Sequence, residues 1–91
     1  MNSNPFDVSW TPTAQRALSG LPEKIATAVV EFAYGSLAAN PACVGKPLRF
    51  DLAGLHTARR GAYRVIYRIE PELKQVVIVT VRHRSDAYRP H

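Results

Sequence analysis

Three arginines supply most of the chemistry available to this chain. Arg64 falls in the strand-like run Tyr63 to Ile69, and Arg59 stands just before Gly61. Arg82 lies near the end of the β-branched run Gln75 to His83, which suits a central strand at least partly covered on both faces over its middle. Period-two geometry predicts Val65, Tyr67 and Ile69 on a core face, with Arg64 and Arg68 on the open face. The same rule predicts Val77, Val79 and Val81 toward the core and Thr80 and Arg82 beside Arg64. Arg59, Arg64 and Arg82 would then line one concavity, and each guanidinium can bind phosphate through a planar fork of donors. A plainer explanation is that arginines on an exposed sheet face are solvated or paired with Asp51, Glu70 and Glu72. Composition alone favours that explanation.

Other candidates are more ambiguous. His83 lies between Arg82 and Arg84, where flanking positive charge favours a neutral imidazole able to act as a base. By alternation it points away from Arg82, which also suits an edge histidine with no role. Tyr88 follows the basic cluster, so its ring can stack on a nucleobase or anchor the tail to the core, and the two readings are evenly matched. His56 lies between Leu55 and Thr57 in a strand that packs, and is not chosen as catalytic. Cys43 has no adjacent histidine, and no phosphate-cradling loop, HExxH, GxSxG or paired carboxylate is present. Neither metal nor cofactor is expected.

These residues need a scaffold, and the pattern predicts α+β. Phe6, Val8 and Trp10 alternate as a short strand. Thr11-Pro12 is an N-cap and N1 pair that opens a helix, and Gly20 ends it. Pro22 opens a second helix, with Ile25, Ala28, Val29, Phe32 and Ala33 on one stripe, running to about Gly35 or just beyond. Two prolines and a glycine between Asn40 and Pro47 predict a loop. Leu48, Phe50 and Leu52 then alternate as sheet, followed by Leu55 to Arg60, the run from Tyr63 to Ile69, a turn over Glu70 to Lys74, and the return run Gln75 to His83. The expected order is βααβββ, an antiparallel sheet with both helices on one face.

Size and charge narrow the class. A chain of 91 residues fits one domain, residues 1–91, and buries only a little over ~60% of its unfolded surface. With 46% hydrophobic and 21% charged residues, disorder of the whole chain is disfavoured. One cysteine allows no intrachain disulfide and no cysteine-based zinc site. There is no apolar run of membrane-spanning length, and the Met1–Pro5 stretch is not a secretion signal, so a cytoplasmic location without membrane association is expected. Up to Gly45, Arg16 and Lys24 face Asp7, Glu23 and Glu31; from Lys46 onward, ten basic residues face four acidic ones, a net of +6. A polyanion or an acidic protein is the expected partner of that second half.

Taken together, four stretches resemble the RelE/ParE superfamily of toxins from bacterial toxin–antitoxin pairs. They are Gly45-Lys46-Pro47-Leu48-Arg49, Gly54-Leu55-His56, Arg59-Arg60-Gly61-Ala62-Tyr63-Arg64-Val65-Ile66-Tyr67, and Val81-Arg82-His83-Arg84-Ser85-Asp86-Ala87-Tyr88. The helical pair from Pro12 to Gly35 is similar too, so the resemblance spans nearly the whole chain. Its C-terminal arginines and tyrosine are most similar to the RelE branch, whose members cleave messenger RNA on the ribosome. The implied fold is the small RelE-like α+β fold.

The resemblance implies a metal-independent endoribonuclease, an mRNA interferase that uses the RNA's own 2′-hydroxyl and inhibits translation. Arg64 matches the arginine that holds the scissile phosphate, Arg82 one that supports the transition state and leaving group, and Tyr88 the tyrosine that stacks on a base and orients or deprotonates the attacking hydroxyl. Arg59, Arg60, His83 and Arg84 are implied as further RNA-binding residues. A K-x-K pair of the family is replaced here by Leu55 and Thr57. Arginine is a poor base because it stays protonated, so Tyr88 or His83 takes the proton, or its transfer is concerted with phosphate binding. Implied partners are a RelB-like antitoxin, the ribosome and mRNA, with operator DNA reached only through the antitoxin. The alternatives are a ParE-like inhibitor of DNA gyrase and a non-catalytic corepressor subunit of the antitoxin complex.

Overall fold

The computed structural model describes residues 5–83. Strand β1 (Asp7–Trp10) leads directly into helix α1 (Pro12–Ser19). The Thr11 hydroxyl accepts from the Ala14 backbone N–H at 3.1 Å, and Pro12 occupies the first turn, where no amide donor is needed. Helix α2 (Glu23–Phe32) follows and passes without a break into a π-helical turn over Ala33–Leu37. The helical path thus runs just beyond Gly35, as the pattern predicts. A four-residue helix α3 (Pro41–Val44) occupies the predicted loop, with Pro41 at its first turn.

The remaining elements are strands. Beyond the two-residue strand β2 (Lys46–Pro47) come β3 (His56–Arg60), β4 (Tyr63–Glu70) and β5 (Gln75–His83), in the spatial order β1-β5-β4-β3-β2. The sheet is mixed, which corrects the antiparallel expectation. β1 pairs parallel with β5, Val8 opposite Val76 and Trp10 opposite Ile78, and the other pairs are antiparallel. The long path through the helices brings the chain back to the same end of the sheet, so β1 enters in the direction of β5.

The predicted strand over Leu48–Leu52 does not form. Phe50–Leu52 is instead a single 3₁₀ turn, closed by the Ala53 N–H donating to the Phe50 carbonyl at 3.0 Å. Phe50 enters it at φ 59°, the left-handed region, which costs a residue with a Cβ about 1–2 kcal/mol. Alternation of apolar residues over five positions is too short a signal to override the tight loop that joins β2 to β3.

One sheet face carries the core. Ala14, Val29, Ala33 and Leu37 from the helical segments meet Ala58, Val65, Tyr67, Val76, Ile78 and Val81 from the strands, all buried. Val76 and Ile78 are thus core residues, and the expectation that Val77 and Val79 would be is overturned. The reason is a β-bulge: Ile66 pairs with Thr80, but Tyr67 pairs with Ile78, leaving Val79 as an extra residue on β5. One extra residue reverses the parity of the strand beyond it, so both ends of β5 keep apolar side chains inward.

Close packing at one point requires a glycine. A Cβ on Gly45 would lie 2.7 Å from the Thr57 carbonyl oxygen and would also collide with the Tyr67 hydroxyl. That hydroxyl donates to the Pro41 carbonyl at 2.7 Å and ties the short helix to the sheet centre. Burial pushes its pKa from 10.0 up to about 12.

Candidate functional site

The face that the helices leave uncovered carries a row of arginines. In the strand register Arg59 of β3 pairs with Arg64 of β4, and Arg64 pairs in turn with Arg82 of β5, so three guanidinium stems start from one line across the sheet. Like charges directly opposite one another destabilise a sheet. A row of three also presents a line of donors that a bound polyanion can accept from. Glu70, one of the carboxylates expected to pair with these arginines, binds Arg68 instead, Oε2 to Nε at 2.6 Å.

Beside the row lies a cavity of about 420 Å³ lined by Arg64, Arg82, Leu48, Leu52, Leu55, Thr57, Ile66, Val79 and Thr80. The bulge contributes to it directly, because it turns Val79 and Thr80 toward the same face. Its floor is apolar and its two cations stand on adjacent strands, an arrangement that can hold a phosphate and exclude water from the groups beside it. The Thr57 hydroxyl is buried here without a hydrogen-bond partner among the described residues. Leu55 and Thr57, the positions where the family pattern has lysines, both face this cavity, so cationic charge is supplied from β4 and β5 rather than from β3 at this depth.

Other candidates are distributed differently. Arg60 does not join the row: its guanidinium lies over the Phe32 ring, 5.6 Å from the centroid, on the helix side. His83 also lies on that side, edge-on to Tyr63 with ring centroids 5.1 Å apart, and lines a groove with Arg16, Ala17, Gly20 and Leu21 of the α1 region. Alternation already pointed it away from Arg82, yet Arg82 lines the same groove. His56 stacks on Tyr67 at 5.5 Å. Cys43 is exposed. Arg84 and Tyr88 fall outside the described residues. Reading the sequence alone missed Leu48, Leu52, Val79 and Thr57 as site residues, since their place depends on the 3₁₀ turn, the bulge and the packing of β3, none of which has a strong local signal.

Comparison with known proteins bears on the whole chain. Residues 8–88 match the family model described as the ParE toxin of the type II toxin–antitoxin system, parDE. The chain is 55% identical over 85 residues to Toxin RelG of Mycobacterium tuberculosis, covering 93% of this chain and 98% of that one. It is 52% identical over 88 residues to Toxin RelE of the same organism, covering 97% and 91%. Among solved structures, the toxin–antitoxin complex RelBE2 of M. tuberculosis contains a chain that superposes with a TM-score of 0.86 at 55% identity, covering 90% of this chain and 94% of that chain.

Proposed function

This chain belongs to the ParE toxin family of the RelE/ParE superfamily and is a toxin of the type II class, and on that premise we propose that it is a ribosome-dependent mRNA endoribonuclease. The observation that carries the proposal is the cross-strand row Arg59–Arg64–Arg82 on the open sheet face. Three guanidinium stems along one line suit the spacing of charge on a phosphodiester backbone.

The reaction we infer is in-line attack of an RNA 2′-hydroxyl on the adjacent phosphorus. The P–O5′ bond breaks, leaving a 2′,3′-cyclic phosphate and a free 5′-hydroxyl. Such chemistry needs alignment and charge stabilisation more than a protein nucleophile. In this reading Arg64, half-buried in the cavity wall, holds the non-bridging oxygens. Arg82, exposed on the next strand, meets the charge that develops on the leaving oxygen. Tyr88 stacks on a base and helps to orient or deprotonate the 2′-hydroxyl. Arg59 extends the phosphate track, and Arg84 adds charge close to Arg82 in sequence. His83 and Arg60 are proposed as further RNA-binding residues, and His83, in one groove with Arg82, is the alternative to Tyr88 as the group that takes the proton.

A RelB-like antitoxin, co-encoded and acidic in its binding segment, is the proposed cytoplasmic partner, and the RelBE2 complex of a relative at 55% identity supports it. Operator DNA is reached through that partner. Incubating the purified protein with translating ribosomes and mapping mRNA ends by primer extension tests the activity. Arg82→Ala should lower cleavage by on the order of 10²–10³, the usual effect of removing one such electrostatic contact. Its melting temperature should stay close to that of the parent, because an exposed arginine contributes ~0–1 kcal/mol. Arg64→Ala should lose cleavage and also bind RNA less tightly. Undiminished cleavage by a folded Arg82→Ala protein would reject the assignment, and inhibition of gyrase supercoiling in place of mRNA cleavage would establish the ParE-like alternative.

A further inference from the structure

We propose that Phe50 is a base-stacking platform for single-stranded RNA at the edge of the arginine site. The proposal rests on the reading of that site as an RNA-binding one, and adds to it a residue with a defined chemical role. Three observations converge on Phe50.

First, its ring is 90% exposed, against 69% for Leu73, 55% for Tyr34 and 50% for Leu52. A phenyl ring left in water contributes nothing to the core. Second, Phe50 sits at φ 59°, a region that bulky residues rarely enter. Lys74 is also in this region, but its ammonium lies over the Phe6 ring at 5.7 Å. For Phe50 no compensating burial exists, and a strained, exposed aromatic is the kind of outlier that marks a functional position.

Third, the turn that carries it is built from residues that wall the site. Leu48 and Leu52, two residues to either side, wall the cavity that holds Arg64 and Arg82. The loop between them is pinned by backbone hydrogen bonds from Leu48 N–H to the Leu55 carbonyl at 2.8 Å and from Leu52 N–H to the Arg49 carbonyl at 3.1 Å. The ring is thus presented from an ordered turn. Its chain neighbours Arg49 and Asp51 are both exposed and charged, so the ring stands between charged groups, with Leu48 and Leu52 of the cavity wall one position further on either side. A protein-docking hot spot is instead centred in a desolvated apolar patch. Exposed aromatics next to a cationic track are how proteins hold single-stranded nucleic acid without reading its sequence.

The test uses a fluorescent 2′-O-methyl RNA oligonucleotide, which cannot be cleaved, titrated with the full chain at low salt. Base–aromatic stacking predicts that Phe50→Leu binds roughly 5- to 100-fold more weakly. Phe50→Tyr should bind within about twofold of the parent, because stacking needs the ring and not its substituent. An oligonucleotide carrying an abasic position at the stacked nucleotide should bind the parent and Phe50→Leu equally, a coupling that a merely structural role would not produce. Phe50→Leu should melt no lower than the parent and keep its affinity for the co-purified antitoxin. Parent-like RNA binding by Phe50→Leu overturns the proposal, as does loss of antitoxin affinity in its place, which would make Phe50 a protein contact. Arg64→Ala separates the two levels. If it weakens RNA binding while Phe50→Leu does not, only the stacking role is wrong; if neither variant changes binding, or the parent does not bind, the RNA reading of the whole face fails with it.

Discussion

Tyr67 and Arg82 illustrate two opposite uses of a polar group on adjacent strands. The Tyr67 hydroxyl is buried and donates to the Pro41 carbonyl, and its worth is structural. Tyr67→Phe should lower stability by about 1–3 kcal/mol, because the Pro41 carbonyl is left buried without its donor. The effect carries a pH signature. The folded pKa of about 12 lies above the ordinary 10.0, so folding favours the neutral phenol. That contribution is fully present below pH 10 and is lost as pH rises toward 12, where the unfolded chain gains the ionised form first. Urea denaturation should therefore show the gap between parent and Tyr67→Phe narrowing between pH 10 and 12. A constant gap would mean that the hydroxyl is not buried as described. Arg82, by contrast, faces outward opposite Arg64 and contributes little to the fold. Such a residue was legible in sequence as an open-face arginine, yet its partners in the row were not, because register is a property of three strands together.

At the scale of elements, the bulge in β5 and the cap of α1 form one device. The Thr11 hydroxyl accepts from Ala14 at the start of α1 and donates to the Val79 carbonyl, on the extra residue of the bulge, at 2.7 Å. The Thr11 backbone N–H donates to the Ile78 carbonyl beside it at 3.0 Å. One residue thus caps a helix and holds the irregularity that turns Val79 and Thr80 into the cavity. Thr11→Ala should cost about 1–2 kcal/mol, the upper range for a lost N-cap. Thr11→Ser keeps both hydrogen bonds and should recover most of that loss. Denaturant midpoints of the three proteins check this, and equal midpoints would show that the cap is idle. The Thr11-Pro12 start was plain from sequence, since capping is a local matter. The bulge was not: a run of Val76-Val77-Ile78-Val79 is apolar at every position, so either parity is chemically acceptable and only packing against Tyr67 and the helices chooses.

Across the whole molecule, charge is segregated. The first 45 residues are nearly neutral and the remainder carries +6, and folding gathers three of those charges into a single line on the open face. If the row contacts three phosphates of a single strand, the log–log slope of affinity against salt should be about −2. Binding of the 2′-O-methyl oligonucleotide should then weaken roughly 15- to 20-fold between 50 and 200 mM salt. Arg64→Ala should make the slope shallower by about 0.7 as well as lowering affinity. A slope that does not change in the variant would remove Arg64 from the phosphate track.

Sequence by itself determined the α+β class, the starts of α1 and α2, the strands β3 to β5 and the resemblance to a toxin family, because caps, periodicity and a distinctive G-x-Y-R-V-I-Y segment are written in neighbouring residues. Tertiary structure alone decided four other things: the parallel insertion of β1 beside β5, the inward parity of Val76 and Ile78, the withdrawal of Arg60 over Phe32, and the exposure of Phe50 on a strained turn. Each depends on which surfaces meet after the chain has returned on itself. Alternation within one strand says that two faces exist, and only the assembled core determines which of them is buried.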